Sequence, residues 1–246
     1  MQPKYINKIN MLCFSFAGGN KYSFQKIAKN IDNFIVLDYP GRGMRMKENI
    51  IIDIDLLIED LLPKIKKEII VTEDYIIYGH SMGALIGYLI CQKIEELGLK
   101  KPQKLVVSGK KSPSIGREVK IAHLPDEEFW EEVIKLGGIP VELQNHPELI
   151  EFYIPILKAD FTAIENYQYV KKVKLTIPID VFYGSEEATE EEMQDWKDET
   201  TAEVTLTKME GNHFFIYRHI DFFRNLFKKS FKNYNECKDL ILKDSI

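Results

Sequence analysis

The pentapeptide Gly79-His80-Ser81-Met82-Gly83 sets a serine between two glycines, each two residues away, after the apolar run Tyr75–Tyr78 and before the apolar segment that follows Ala84. A turn that only reverses direction needs no hydroxyl at its apex. A serine on a sharp strand-to-helix turn is different: the residues two before and two after must be small, and the hydroxyl is held above the sheet at the positive end of the next helix. Such a serine is a weak nucleophile and needs a base. In enzymes with this arrangement the chain order is serine, acid, histidine. Of five histidines, His80 lies inside the turn and reads as structural, His123 and His146 fall in a helical interval, and His219 falls within the last helix. His213, in "MEGNHFFIY", follows the last strand-like run in a short glycine- and asparagine-containing loop, where a base must sit to reach the serine. The acid belongs after the penultimate strand. There Asp180 comes too early, inside the strand, Glu190, Glu191 and Glu192 read as the first turn of a helix, and Glu186 or Glu187 remains. Two backbone N–H groups must hold the oxyanion. Met82, next to the serine, is one, and Ala17, in "CFSFAGGN" with Gly18-Gly19 behind it, is the other.

These residues need a scaffold that brings strand ends together. Short β-branched and aromatic runs recur at Met11–Phe16, Phe34–Asp38, Tyr75–Tyr78, Lys104–Ser108, Pro178–Tyr183 and Glu203–Lys208, most of them apolar throughout, as strands buried on both faces are. Helical stripes lie between them, one through Ile54, Leu57, Ile58, Leu61 and Leu62, another through Leu85, Leu89 and Ile94. The alternation predicts an α/β fold with a doubly wound, mostly parallel sheet and helices on both faces. The interval from Ser108 to Pro178 breaks it with helical patterning alone: a start at Leu124-Pro125-Asp126, a stop at Gly137-Gly138, and helices over His146–Lys158 and Ala159–Tyr169. The expected organisation is one domain, residues 1–246, with a helical lid insertion at about 115–169. Phe129, Trp130, Ile134, Phe152 and Phe161 are its candidates for pocket lining or for packing.

At 246 residues and 45% hydrophobic content the chain has material for a substantial core. It has no run long enough to span a bilayer and no signal-peptide layout, so cytoplasmic residence is expected. Three widely spaced cysteines suggest neither a disulfide framework nor a zinc site, and a net charge of −5 argues against nucleic-acid binding. Locally, Lys110, Lys111, Arg117 and Lys120 form a basic stretch beside the expected active-site edge.

With these residues placed, the chain resembles the type II, external thioesterases that accompany nonribosomal peptide and polyketide synthases. The stretches that carry the likeness are "CFSFAGG", "DYPGRG", "GHSMGALIGY", "AHLPDEEFWEEVIKLGGIP", "YIPILKADFTAIENYQY", "VFYGSEE" and "GNHFFI". The resemblance implies an α/β-hydrolase with a helical lid that hydrolyses acyl groups from the phosphopantetheine arm of a peptidyl or acyl carrier protein. It implies no cofactor beyond the one on the substrate and a monomer as the working unit. It puts Ser81 as nucleophile and His213 as base. The position usually held by an aspartate falls on Glu187, Ser15 stands for a frequent proline, and Ala84 and Asn212 stand for glycines. A small-molecule carboxylesterase is the alternative within the class, and a non-catalytic binding module the alternative outside it.

Overall fold

The structure is a computed structural model and describes residues 6–116, 119–139 and 146–228. Six strands, β1 (Ile6–Phe14), β2 (Phe34–Val36), β3 (Thr72–His80), β4 (Leu105–Ser108), β5 (Ile179–Gly184) and β6 (Val204–Met209), form one sheet in the order β2-β1-β3-β4-β5-β6, and every pair is parallel. The helices are α1 (Ile54–Val71), α2 (Met82–Glu96), α3 (Asp126–Lys135), α4 (Pro147–Asn166), the one-turn α5 (Glu190–Met193) and α6 (Phe215–Arg218), after which a further helix covers 220–228. No helix among the described residues is long and apolar enough to cross a membrane.

Alternating side chains of the strands explain the continuous apolar runs. Leu12, Phe14, Tyr75, Ile77, Leu105, Val107, Ile179 and Val181 pack on one face against α1 and α2. Their neighbours Met11, Cys13, Ile76, Tyr78, Val106 and Phe182 pack on the other against Phe24, Ile27, Phe215, Phe223 and Phe227. A strand covered on both sides has no polar face to show. The sheet is wound outward in both directions from β1 and β3, and ligands of such sheets bind at the carboxyl ends where the order reverses. Ala17 follows β1 and Ser81 follows β3, so both stand at that point.

All six expected strands are present, with two starting earlier than their apolar runs. β1 begins at Ile6 and β3 at Thr72, where polar residues still pair at the rim of the sheet. A second difference is in the interval between β4 and β5. The two helices expected over His146–Lys158 and Ala159–Tyr169 are a single helix, α4, with Pro155 inside it. In the fold Asp160 is fully buried, with a charged partner that the local pattern does not reveal. α3 matches its expected limits and Gly137 beyond it has φ +82°, the left-handed stop that a glycine allows.

Candidate active site

Ser81 has φ 56° and ψ −116°, a conformation costly for any residue with a Cβ. The strain is held in place from several sides. Its N–H donates to Ser108 O at 2.8 Å, and Ala84 N–H donates to Ser81 O at 3.0 Å in the first turn of α2. The two flanking glycines are forced by close approach: a Cβ on Gly79 would meet Gly83 O at 2.0 Å, and one on Gly83 would meet Phe14 O at 2.0 Å. The strand, the turn and the helix can be this close only where neither position carries a side chain.

His213 lies in the loop between β6 and α6. The Ser81 hydroxyl donates to His213 Nε2 at 2.8 Å, and on the other side His213 Nδ1–H donates to Glu187 Oε1 in a short charge-assisted bond. Glu187 follows β5; its second carboxylate oxygen is buried without a partner among the described residues. Glu186 is exposed and reaches no histidine, so of the two glutamates left open by the sequence, Glu187 is the one in contact. Glu187 sits in a tight loop in which its N–H donates to Gly184 O at 3.1 Å.

The remaining histidines stand apart from this chain of bonds. His80 is fully buried with Nδ1 2.8 Å from Ser108 Oγ, and its ring lies 5.2 Å from that of His213. Burial, with a smaller contribution from the nearby His213, holds its pKa well below the usual histidine value. His219 caps α6 and bonds Glu210 O at 2.8 Å, and His146 pairs with Glu148 at the surface. Asp180 is tied to Lys104 at 2.6 Å.

Ala17 lies in the loop after β1, and Met82 directly follows Ser81. Met82 is the first residue of α2, so its N–H has no helical acceptor behind it. Ala17 lines, with Ser81 and His213, a small apolar cavity of about 40 Å³ whose other walls include Phe16, Val133, Leu157 and Phe161. An adjoining pocket of about 260 Å³ shares Phe16, Ala17, Gly138, Ile139 and Leu157 with it. A larger groove of about 540 Å³ between Gln92, Glu95, Lys172 and Leu175 has no nucleophile in its wall, so chemistry rather than size selects the smaller one.

Between β4 and β5, Val133, Leu136, Gly138, Ile139, Leu157 and Phe161 line the cavity that Ser81 lines. Of the five candidates there, Phe161 lines the cavity, while Phe129 and Trp130 are buried in the cluster that joins α3 to α4 and Ile134 packs against it. Phe152 is 47% exposed and touches Tyr153 instead. Gly138 lies on the histidine loop so closely that a Cβ would meet the Phe214 ring at 2.1 Å. In the basic stretch, Lys111 pairs with Glu192 at 2.7 Å, Lys110 and Lys120 line a groove of about 360 Å³, and Arg117 lies outside the described residues.

Two residues of the site's surroundings carry no signal readable in isolation. Arg42 and Asp160 are 3% and 0% exposed and form a buried ion pair beside Gly18. Their motifs, "DYPGRG" and "ILKADF", stand out in the sequence, but their pairing depends on a contact between residues far apart in the chain.

A wound parallel sheet with a strained serine turn, a histidine bonded to that serine and a carboxylate behind it defines an α/β-hydrolase. Residues 10–231 match the family described as Thioesterase domain, and the chain belongs to it: a hydrolase acting on acyl thioesters. It is 33% identical over 215 residues, 84% of each chain, to the Vibrio anguillarum protein named "Probable anguibactin biosynthesis thioesterase AngT". It is 28% identical over 228 residues to the Streptomyces griseus "Probable cadicidin biosynthesis thioesterase", covering 89% of this chain but 61% of that longer protein. Among solved structures it is similar to YbtT, titled a type II thioesterase from the yersiniabactin NRPS/PKS pathway, with a TM-score of 0.77, 28% identity and coverage of 93% and 94% of the two chains.

Proposed function

We propose that this chain hydrolyses acyl groups from the phosphopantetheine arm of a peptidyl or acyl carrier protein, with Ser81 as nucleophile, His213 as base and Glu187 as the acid. The observation that carries the reading is the continuous bond chain Ser81–His213–Glu187 at the wall of an apolar cavity. The biosynthetic names of its relatives supply the substrate class. Ser81 Oγ attacks the thioester carbonyl while its proton passes to His213 Nε2. The new oxyanion accepts from the Ala17 and Met82 N–H groups. Collapse breaks the C–S bond, the thiol leaves with the proton from His213, and an acyl ester remains on Ser81. Water then attacks that ester, again giving its proton to His213, and collapse returns the proton to Ser81 as the free acid departs. Glu187 holds the imidazole tautomer and stabilises the imidazolium.

No step requires a cofactor from this chain, since the pantetheine arm comes with the substrate. In this reading residues 1–246 form a single domain, the insertion at about 115–169 acts as a lid whose apolar face receives the acyl group, and the enzyme works as a cytoplasmic monomer. The test is to compare kcat/KM for an acyl-carrier thioester with that for the p-nitrophenyl ester of the same acid, in the wild type and in Ser81→Ala. The expected result is a strong preference for the carrier substrate and loss of several orders of magnitude in the variant. A preference for the free ester favours the carboxylesterase reading. Undiminished turnover by folded Ser81→Ala removes the serine mechanism.

A further inference from the structure

The motif "DYPGRG" has no place in the bond chain above, yet three of its residues converge on the loop that carries Ala17. Tyr39, fully buried, donates its hydroxyl to Ser15 O at 2.8 Å. Arg42 stacks over the Tyr39 ring, 5.1 Å from its centroid, and grips Asp160 with both terminal nitrogens, one bond at 2.6 Å and the other shorter. Asp160 in turn accepts the N–H of Gly18 at 2.7 Å. Asp38 holds the same loop further on, accepting Lys21 N–H at 2.7 Å and Met44 N–H at 2.9 Å. Ala17 is therefore flanked by two fixed points, the Ser15 carbonyl held by Tyr39 and the Gly18 amide held by Asp160.

Asp160 belongs to α4, one turn beyond Leu157, and Leu157 lies against the same loop: a Cβ on Gly18 would meet Leu157 Cδ2 at 2.6 Å. Residues three apart share one helix face. That face of the insertion thus docks on the loop by an apolar contact and a charged one together. Arg42 sits behind both. Burial alone would lower its pKa, but the adjacent Asp160 carboxylate more than offsets this and keeps the guanidinium charged.

We infer that Arg42 and Asp160 are positioning residues for the oxyanion hole: they aim the Ala17 N–H by fixing Gly18, and they make that aim conditional on α4 being docked over the site. The inference rests on the proposed serine mechanism, with Ala17 as a donor. A donor displaced by a fraction of an ångström loses most where negative charge has developed and little where the substrate is still neutral. The effect therefore belongs in kcat and in the affinity for an oxyanion mimic, more than in KM.

The test uses the full chain, a short acyl thioester, and a trifluoromethyl ketone analogue that forms an anionic adduct with the serine. Removing one partner alone strands a buried charge and unfolds proteins for trivial reasons, so both are changed together: Arg42→Met with Asp160→Leu keeps the volume and removes the acceptor. Arg42→Met with Asp160→Asn returns a neutral carbonyl oxygen to Gly18. The first pair should lower kcat about tenfold or more, short of the roughly 10²–10³ seen when a donor is lost outright, weaken the analogue by a similar factor, and move KM less than threefold. The second pair should regain most of the loss. If both pairs fold and keep wild-type kcat and analogue affinity, or if both lose kcat with unchanged analogue affinity, the inference is overturned. Should a pair fail to fold, amide exchange in the wild type decides: Gly18 should be strongly protected, and exchange at the rate of an open loop contradicts the clamp. Failure of the serine mechanism itself looks different, because the analogue would then not inhibit the wild type at all.

Discussion

At the level of single residues, the acid and the buried histidine give the sharpest expectations. Glu187, not Glu186, reaches His213, so Glu187→Gln should lower kcat by about 10² or more, by analogy with the aspartate of serine proteases, and Glu186→Gln should leave it near normal. Steady-state rates on one acyl-carrier substrate separate the two, and a crippled Glu186→Gln beside a normal Glu187→Gln would place the acid one residue away. His80 gives a pH-dependent expectation. Its folded pKa lies below the ordinary 6.5, so the unfolded chain takes up its proton first as pH falls. The stability that depends on neutral His80 is complete above about pH 6.5 and is lost progressively below it, by up to about 1.4 kcal/mol per pH unit. Urea midpoints from pH 7 to 5 should show this slope in the wild type and a shallower one in His80→Asn; equal slopes would mean that His80 is accessible to protons in the folded state. The serine and the histidine that meets it were legible because each sits beside a strand end with small residues around it. The choice between adjacent glutamates was not, since it depends on loop geometry that alternation along the chain cannot supply.

At the level of elements, the junction of β3 and α2 is the most tightly constrained. A methyl group on Gly83 has nowhere to go but into the Phe14 carbonyl, an obstacle of backbone rather than of flexible side chain. Gly83→Ala should destabilise the fold by about 3 kcal/mol or more and displace Ser81. Thermal unfolding checks the first and the rate of labelling by a fluorophosphonate the second; a variant with normal stability and labelling would contradict the packing described. The sheet was readable in outline because its strands are buried on both faces and so lack polar interruptions. The early starts of β1 and β3 were not readable, because polar residues such as Asn10 and Asp74 interrupt the apolar runs there. α4 was misread as two helices, and the burial of Asp160 within it becomes visible only when Arg42 and Gly18 are brought to it across the fold.

At the level of the whole molecule, a net charge of −5 gives the enzyme no overall attraction for an acidic partner, so docking on one would rest on local charge or apolar contact. Lys110 and Lys120 border a groove beside the carboxyl end of β4, and Lys111 next to them pairs with Glu192. Charge reversal at Lys110 and Lys120 should raise KM for an acyl-carrier substrate several-fold and spare a small acyl thioester; equal effects on both would locate the carrier elsewhere. The kinetic expectations among these presuppose that the acyl group passes through Ser81. The most direct measurement is intact-protein mass spectrometry after rapid mixing with an acyl-pantetheine thioester, followed by peptide mapping of the modified protein. A transient mass increase equal to the acyl group, located on the peptide that contains Ser81 and absent from Ser81→Ala, is the predicted result. An acyl adduct on another residue, or full turnover by Ser81→Ala with no adduct, would contradict it.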